Sequence, residues 1–202
     1  PNPDVYNRYD DFFGNHVVYY AIEQEHKKLI VEVISHVQIS RKHFEWDEIP
    51  RVSWEETRKI LSANTAECIE IRQFLPPTNM TKITPEVKAY AQSSFWPSRP
   101  LFEAVNDLME RIYRDFEFKS GLTTVSTPVN EVLLLRKGVC QDFAHLAITC
   151  LRSMGLPARY VSGYIETIKQ PGKGKLVGAD ASHAWFSVFI PDLGWVDFDP
   201  TN

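Results

Sequence analysis

In the run from Gly138 to Gly155, GVCQDFAHLAITCLRSMG, a cysteine opens an apolar helix, and that run limits the possible folds more than any other stretch of the chain. Phe143, Leu146, Ala147, Cys150, Leu151 and Met154 recur at the i, i+3, i+4 spacing of a buried helix face, and Gly155 supplies the expected stop. A helix with that stripe needs a partner layer. The partner follows in sequence, because Arg159 to Thr167, Ala184 to Ile190 and Trp195 to Phe198 are rich in β-branched and aromatic residues and read as strands. The fold class expected is α+β, with a central helix carrying Cys140 packed against an antiparallel sheet. The segment QPGKGKLVGADAS between the first two strands has no apolar periodicity and reads as an exposed loop.

Upstream, the patterning predicts a helical layer. Ser53 and Glu56 are spaced as a capping box, and Leu61, Cys68, Ile71 and Leu75 form one stripe, so a helix is expected from Trp54 to about Leu75, where Pro76-Pro77 stops it. Pro85 opens a second helix through Trp96 and Pro100 a third through about Phe118. Thr127-Pro128 starts a short one ending at Gly138. Nearer the N-terminus, HVVYYAI and LIVEVISHVQI are separated by the charged EQEHKK and read as the two arms of a β-hairpin, with Val31, Val33 and Ile39 on one face. These patterns divide the chain into a β-region over 1–50 and a core over 51–202.

A chain of 202 residues suffices for one sizeable core or a core with a small module. With 44% hydrophobic and 24% charged residues it has the composition of a globular protein. The net charge of −4, without clustered Lys and Arg, argues against nucleic acid as a partner. No apolar run is long enough to span a bilayer. Three cysteines without a CxxC pair suit neither a disulfide framework nor a Cys-rich zinc site, and the compartment expected is the cytoplasm. Pro1 in place of Met points to a start inside a longer gene product.

The chemistry centres on Cys140. A thiol attacks a carbonyl as its thiolate, and a helix N-terminus supplies partial positive charge and free N–H groups to stabilise that charge. The backbone N–H of Cys140 is placed to serve a developing oxyanion, and Gly138 allows close approach. A nucleophile needs a base, and the base an orienting acceptor. His183 opens a strand downstream and Asp199 follows across a turn. A two-residue turn pairing Pro191 with Gly194 would put His183 and Asp199 on opposite faces, so the register expected is that of an odd loop, with Asp199 opposite Trp185 and diagonal to His183.

Other residues read more simply. Cys68 and Cys150 lie on apolar stripes as small hydrophobes. His145 is about 140° around the helix from Cys140 and reads as structural. Asp142 suits the helix N-terminus electrostatically. Asp197 shares strand parity with Asp199 and is its weaker rival; Trp185 and Trp195 read as packing, and Arg159 and Tyr164 as cleft or sheet edge. A zinc site from Cys140, His145, His183 and an Asp matches no common ligand spacing, so no metal or cofactor is expected.

The strings GVCQDFAHL, RSMGLPARYVSGY, SHAWFSV and GWVDFDPTN, in that order, resemble the core of the bacterial transglutaminase-like superfamily, and Tyr9 to Ser40 is similar to the N-terminal β-region of many bacterial members. The resemblance implies a papain-like arrangement in which Cys140 is the nucleophile, His183 the general base and acid, and Asp199 the residue that orients the imidazole. It implies cysteine-dependent acyl transfer or hydrolysis at a peptide or glutamine amide of a protein or peptide substrate, through a thioester. No aromatic oxyanion donor can be placed by motif, and no acidic cluster suits the calcium sites of animal relatives. Family members commonly continue beyond the DPTN string, so a C-terminal truncation at Asn202 is expected. Hydrolysis is the expected outcome; the alternative is a noncatalytic peptide- or cell-wall-binding module on the same fold.

Overall fold

The computed structural model describes residues 2–34, 36, 38, 45, 47–165 and 182–201. The chain divides into two compact units, Pro1–His43 and Phe44–Asn202.

In the first unit, strands β1 (Val5–Asp10) and β2 (His16–Ala21) form an antiparallel hairpin, with Asp10 opposite His16 and Val5 opposite Ala21. The arm HVVYYA thus pairs backward with VYNRYD, and among the described residues of LIVEVISHVQI none pairs with it. The cause is local turn chemistry. The Asp11 carboxylate accepts from the backbone N–H groups of Phe13 and Asn15 at 2.8 and 2.9 Å, and Gly14 takes a φ of +79°. A carboxylate that folds the backbone over itself closes a turn more cheaply than EQEHKK could. Residues 29–34 are irregular and exposed, whereas positions 35, 37 and 39 of that run, Ile39 among them, lie outside the described residues.

The second unit begins with α1 (Trp54–Leu61), where the Ser53 hydroxyl accepts from the Glu56 N–H at 3.1 Å, as the capping pattern requires. The expected long helix is broken. A new cap at Thr65, accepting from the Cys68 N–H at 3.2 Å, starts α2 (Ala66–Arg72). Arg72 reaches back to donate to the carbonyls of Leu61 and Ala63, both at 2.9 Å, satisfying acceptors that the end of α1 leaves open. Leu61, Cys68 and Ile71 still bury together, against Phe189 and Trp195, so the stripe survives as tertiary packing.

Helices α3 (Pro85–Gln92), α4 (Leu101–Asp115) and α5 (Val129–Leu135) each stop short of the expected ends. Ser94 and Phe95 tighten the chain after α3 by donating to Ala91 and Gln92 carbonyls. After α4 the backbone turns extended at Phe116, and β3 (Glu117–Phe118) pairs in parallel with β4 (Lys137–Gly138), which takes the last residues expected of α5. Arg136, at φ +54°, makes that exit.

Helix α6 spans Cys140–Ser153, and Gly155 follows at φ +79°. It packs on β5 (Ala158–Tyr164) and β6 (Ser182–Ile190), which with β7 (Gly194–Phe198) form an antiparallel sheet ordered β5-β6-β7. Leu101, Leu108, Leu146, Leu151, Phe186 and Ile190 are fully buried in one core shared by helices and sheet. Each such side chain stabilises the fold by about 1.5–3 kcal/mol. Among the described residues, no helix is long and apolar enough to cross a membrane.

Candidate active site

Cys140 is the first residue of α6, and Val139 before it is extended. The carboxylate of Asp142, one turn in and 3% exposed, accepts from the Val139 N–H at 2.8 Å and from the Thr123 hydroxyl at 2.6 Å. One buried acid thereby satisfies a free N–H at the helix start and fastens the preceding loop to it. Gly138 is required by this arrangement, because a Cβ there would sit 2.7 Å from the Asp142 Oδ2. Gln141 adds a second tie, donating to the Val125 carbonyl at 3.4 Å.

Of the three free cysteines Cys140 is partly exposed, while Cys68 and Cys150 are buried. Burial pushes the Cys150 thiol up to about 12, which makes it an inert core group.

His183 is 7% exposed near the start of β6. Three residues, Pro191, Asp192 and Leu193, separate Ile190 from its partner Gly194, and this odd loop sets Phe186 opposite Phe198. That is the register expected from the sequence. It brings His183 and Asp199 together, with Nε2 and Oδ2 2.7 Å apart. A carboxylate only accepts, so Nε2 carries the proton in this contact. The other carboxylate oxygen accepts from the Thr201 N–H at 2.9 Å, which fixes its orientation. The Trp185 ring stacks beside the imidazole, centroids 6.0 Å apart, and covers Gly163 so closely that a Cβ there would lie 2.6 Å from the indole. Asp197 pairs with Ser187 and stays exposed, so Asp199, not its rival, meets the histidine.

Arg159 lies over the Trp195 ring at 4.4 Å, a packing role at the sheet, and Tyr164 is 78% exposed. Sequence reasoning missed Tyr160. Its ring stands 5.0 Å from that of His145 on α6, and its hydroxyl is pushed up first by burial. The alternation of RYVSGY puts Tyr160 on one face of β5, but only the packing of α6 on that strand selects its neighbours. Burial holds the His145 imidazole below its ordinary value, partly offset by Asp142. Among the described residues, no three His, Cys, Asp or Glu side chains are grouped to hold a metal ion.

A cysteine opening a helix that packs on an antiparallel sheet, with a His–Asp pair on that sheet, defines an α+β core of the papain and transglutaminase type. Residues 88–200 match the family described as the transglutaminase-like superfamily, and the chain belongs to it. An uncharacterized protein of Mycobacterium tuberculosis is 44% identical over 199 residues, which cover 95% of this chain and 62% of that one. The chain thus spans less than two thirds of that relative's length. A protein-glutamine gamma-glutamyltransferase of Pseudomonas aeruginosa is 39% identical over 67 residues, covering 33% of this chain and 10% of that protein. The crystal structure of a candidate cysteine protease from Cytophaga hutchinsonii superposes with a TM-score of 0.54 at 29% identity, covering 66% of this chain and 42% of that one.

Proposed function

We propose that Cys140, His183 and Asp199 act as a catalytic triad for acyl transfer from a peptide or glutamine amide of a protein substrate. The observation that carries this reading is the 2.7 Å contact between His183, on a strand packed against the helix that Cys140 opens, and Asp199, just past the end of β7. The similarity to a glutamyltransferase supports a glutamine amide, and that to a candidate cysteine protease supports a peptide bond.

In the proposed cycle a Cys140 thiolate, paired with imidazolium His183, attacks the amide carbon. A sulfur–carbon bond forms and the carbonyl electron pair moves to oxygen, where the Cys140 backbone N–H donates to it. Collapse breaks the carbon–nitrogen bond. The imidazolium gives its proton to the leaving amine or ammonia, leaving an acyl-thioester and neutral imidazole. His183 then takes a proton from water, the hydroxide equivalent attacks the thioester, and the thiolate departs as the carboxylic acid forms. Asp199 holds the imidazole by Nε2 throughout, which leaves Nδ1 as the nitrogen for the sulfur. We take water as the acceptor because it needs no dedicated site.

Iodoacetamide labelling at about pH 6 tests the pair, since an unactivated thiol is almost wholly protonated there. Preferential labelling of Cys140, lost in His183→Ala, is expected; labelling of Cys140 that is slow and the same in His183→Ala would sink the triad. Incubation with a glutamine-containing peptide, with and without hydroxylamine, then separates glutamate formation, chain cleavage and hydroxamate formation by mass spectrometry. A labelled but inert Cys140 across varied peptides would favour a binding module on the same fold.

A further inference from the structure

At the far end of α6 from Cys140, Arg58 of α1, Lys88 and Gln92 of α3 and Arg152 of α6 line a cavity of about 370 Å³, with Trp54 on one wall. No carboxylate lines it. Among the described residues none of the three cations has an acidic partner, although the chain as a whole carries a net charge of −4. Three unneutralised cations on one cavity are therefore a local concentration against the sign of the whole molecule.

The three are held in different ways. Arg152 donates to the Thr81 hydroxyl and the Ala158 carbonyl, both at 2.9 Å, and its buried Nε has no partner. Its charge reaches the cavity as a field, and burial already disfavours it. Arg58 crosses Gly155 so closely that a Cβ there would meet its Nε at 2.7 Å, and its guanidinium lies 5.7 Å from the Trp54 ring. Glycine, needed at the left-handed φ of +79°, also makes the floor over which this arginine lies. Lys88 and Gln92, one turn apart on an exposed helix face, add a second cation and an amide donor. The carbonyls ending α6 would repel an anion, but the N–H groups of Met154, Gly155 and Leu156 already occupy those of Cys150, Leu151 and Arg152.

We propose that this cavity binds a small oxyanion-bearing ligand, a phosphate, sulfate or carboxylate group with a compact body, held by Arg58 and Lys88. Its volume lies within the range of small-ligand sites, about 300–1,000 Å³. Helix α6 has 14 residues, so the cavity is about 20 Å from Cys140 and is a separate site, independent of the proposed catalysis.

Calorimetric titration of the 202-residue chain with inorganic phosphate, against sodium chloride at matched ionic strength, tests it. Saturable binding is expected, weakened at least about tenfold in the Arg58→Gln/Lys88→Gln variant but unchanged in Lys59→Gln, which removes an exposed charge from the same helix outside the cavity. Circular dichroism melts in chloride verify that both variants fold. No saturable heat with phosphate, equal heats with chloride, or equal weakening by Lys59→Gln would each overturn the site and leave only solvated surface charge.

Discussion

His183 and Asp199 meet at 2.7 Å because the loop between their strands has an odd number of residues, Pro191, Asp192 and Leu193. Side chains alternate along a strand, so a change of one residue in that loop moves the partner strand to its other face. Inserting a glycine after Asp192 is therefore expected to abolish the contact while leaving the helical core folded. Loss of the His183 Nε2–H resonance shift in NMR, with helical circular dichroism retained, is the readout; an unchanged imidazole would contradict the register argument.

Asp199→Asn keeps the shape of the side chain but removes the charge that steadies the imidazolium. If the proposed triad operates, turnover falls by about two to four orders of magnitude, as for orienting acids in other triads. The fold should lose no more than about 1–2 kcal/mol, the ordinary cost of weakening one charge-assisted hydrogen bond. Parallel turnover assays and urea melts separate the two effects, and an Asn variant with full activity would remove Asp199 from the mechanism.

Asp142 makes two hydrogen bonds in a nearly dry setting, to Val139 and Thr123. Thr123→Val should cost about 1–3 kcal/mol, since one acceptor site of a buried carboxylate then lacks its donor. Gly138→Ala should cost a similar amount by a different route, forcing a methyl to 2.7 Å from the same oxygen. Urea denaturation midpoints measure both, and the double variant tests coupling: neighbours sharing one carboxylate should not be additive.

The lowered value of His145 gives stability a pH dependence of definite sign. Above the unfolded value, about 6.5, both states hold a neutral imidazole; as pH falls below it the unfolded chain takes up the proton first, so stability declines toward the folded value. Urea melts at about pH 7.5 and 5.5 should show this loss, and His145→Gln should shrink it. The groups facing this ring are Tyr160, Asp142 and Arg152. An identical decline in the variant would assign it elsewhere.

Cys150 offers a chemical check on the core. With its thiol at about 12, it should resist alkylation in the folded protein at about pH 9, where a free cysteine is largely thiolate, and react fully in urea. Rapid native labelling of Cys150 would contradict its burial.

Elements written by short-range chemistry were legible before any coordinates. Helix α6, its stop at Gly155 and the cap at Ser53 depend on residues within a turn of one another, and the odd parity of the β6–β7 loop follows from requiring His183 and Asp199 to share one face. Where two local solutions competed, reading the sequence failed. HVVYYA could pair in either direction, and the Asp11 turn decided it; the stripe from Leu61 to Ile71 looked continuous, yet Thr65 caps a second helix and Arg72 closes the first. Periodicity records which side chains are buried, not whether the backbone between them stays helical.

Short-range patterning sufficed for the α+β class and for the helix that Cys140 opens, because both are governed by contacts between near neighbours in the chain, while the strand register was legible only by requiring Asp199 to face His183. Only the tertiary structure decided that Asp142 ties Thr123 to the start of that helix, that Tyr160 stands beside His145 of the same helix, and that Arg58, Lys88 and Arg152 converge at its far end. Those meetings join residues from separate elements, and which of them touch is settled by how helices and sheet exclude water together, a property of the whole core.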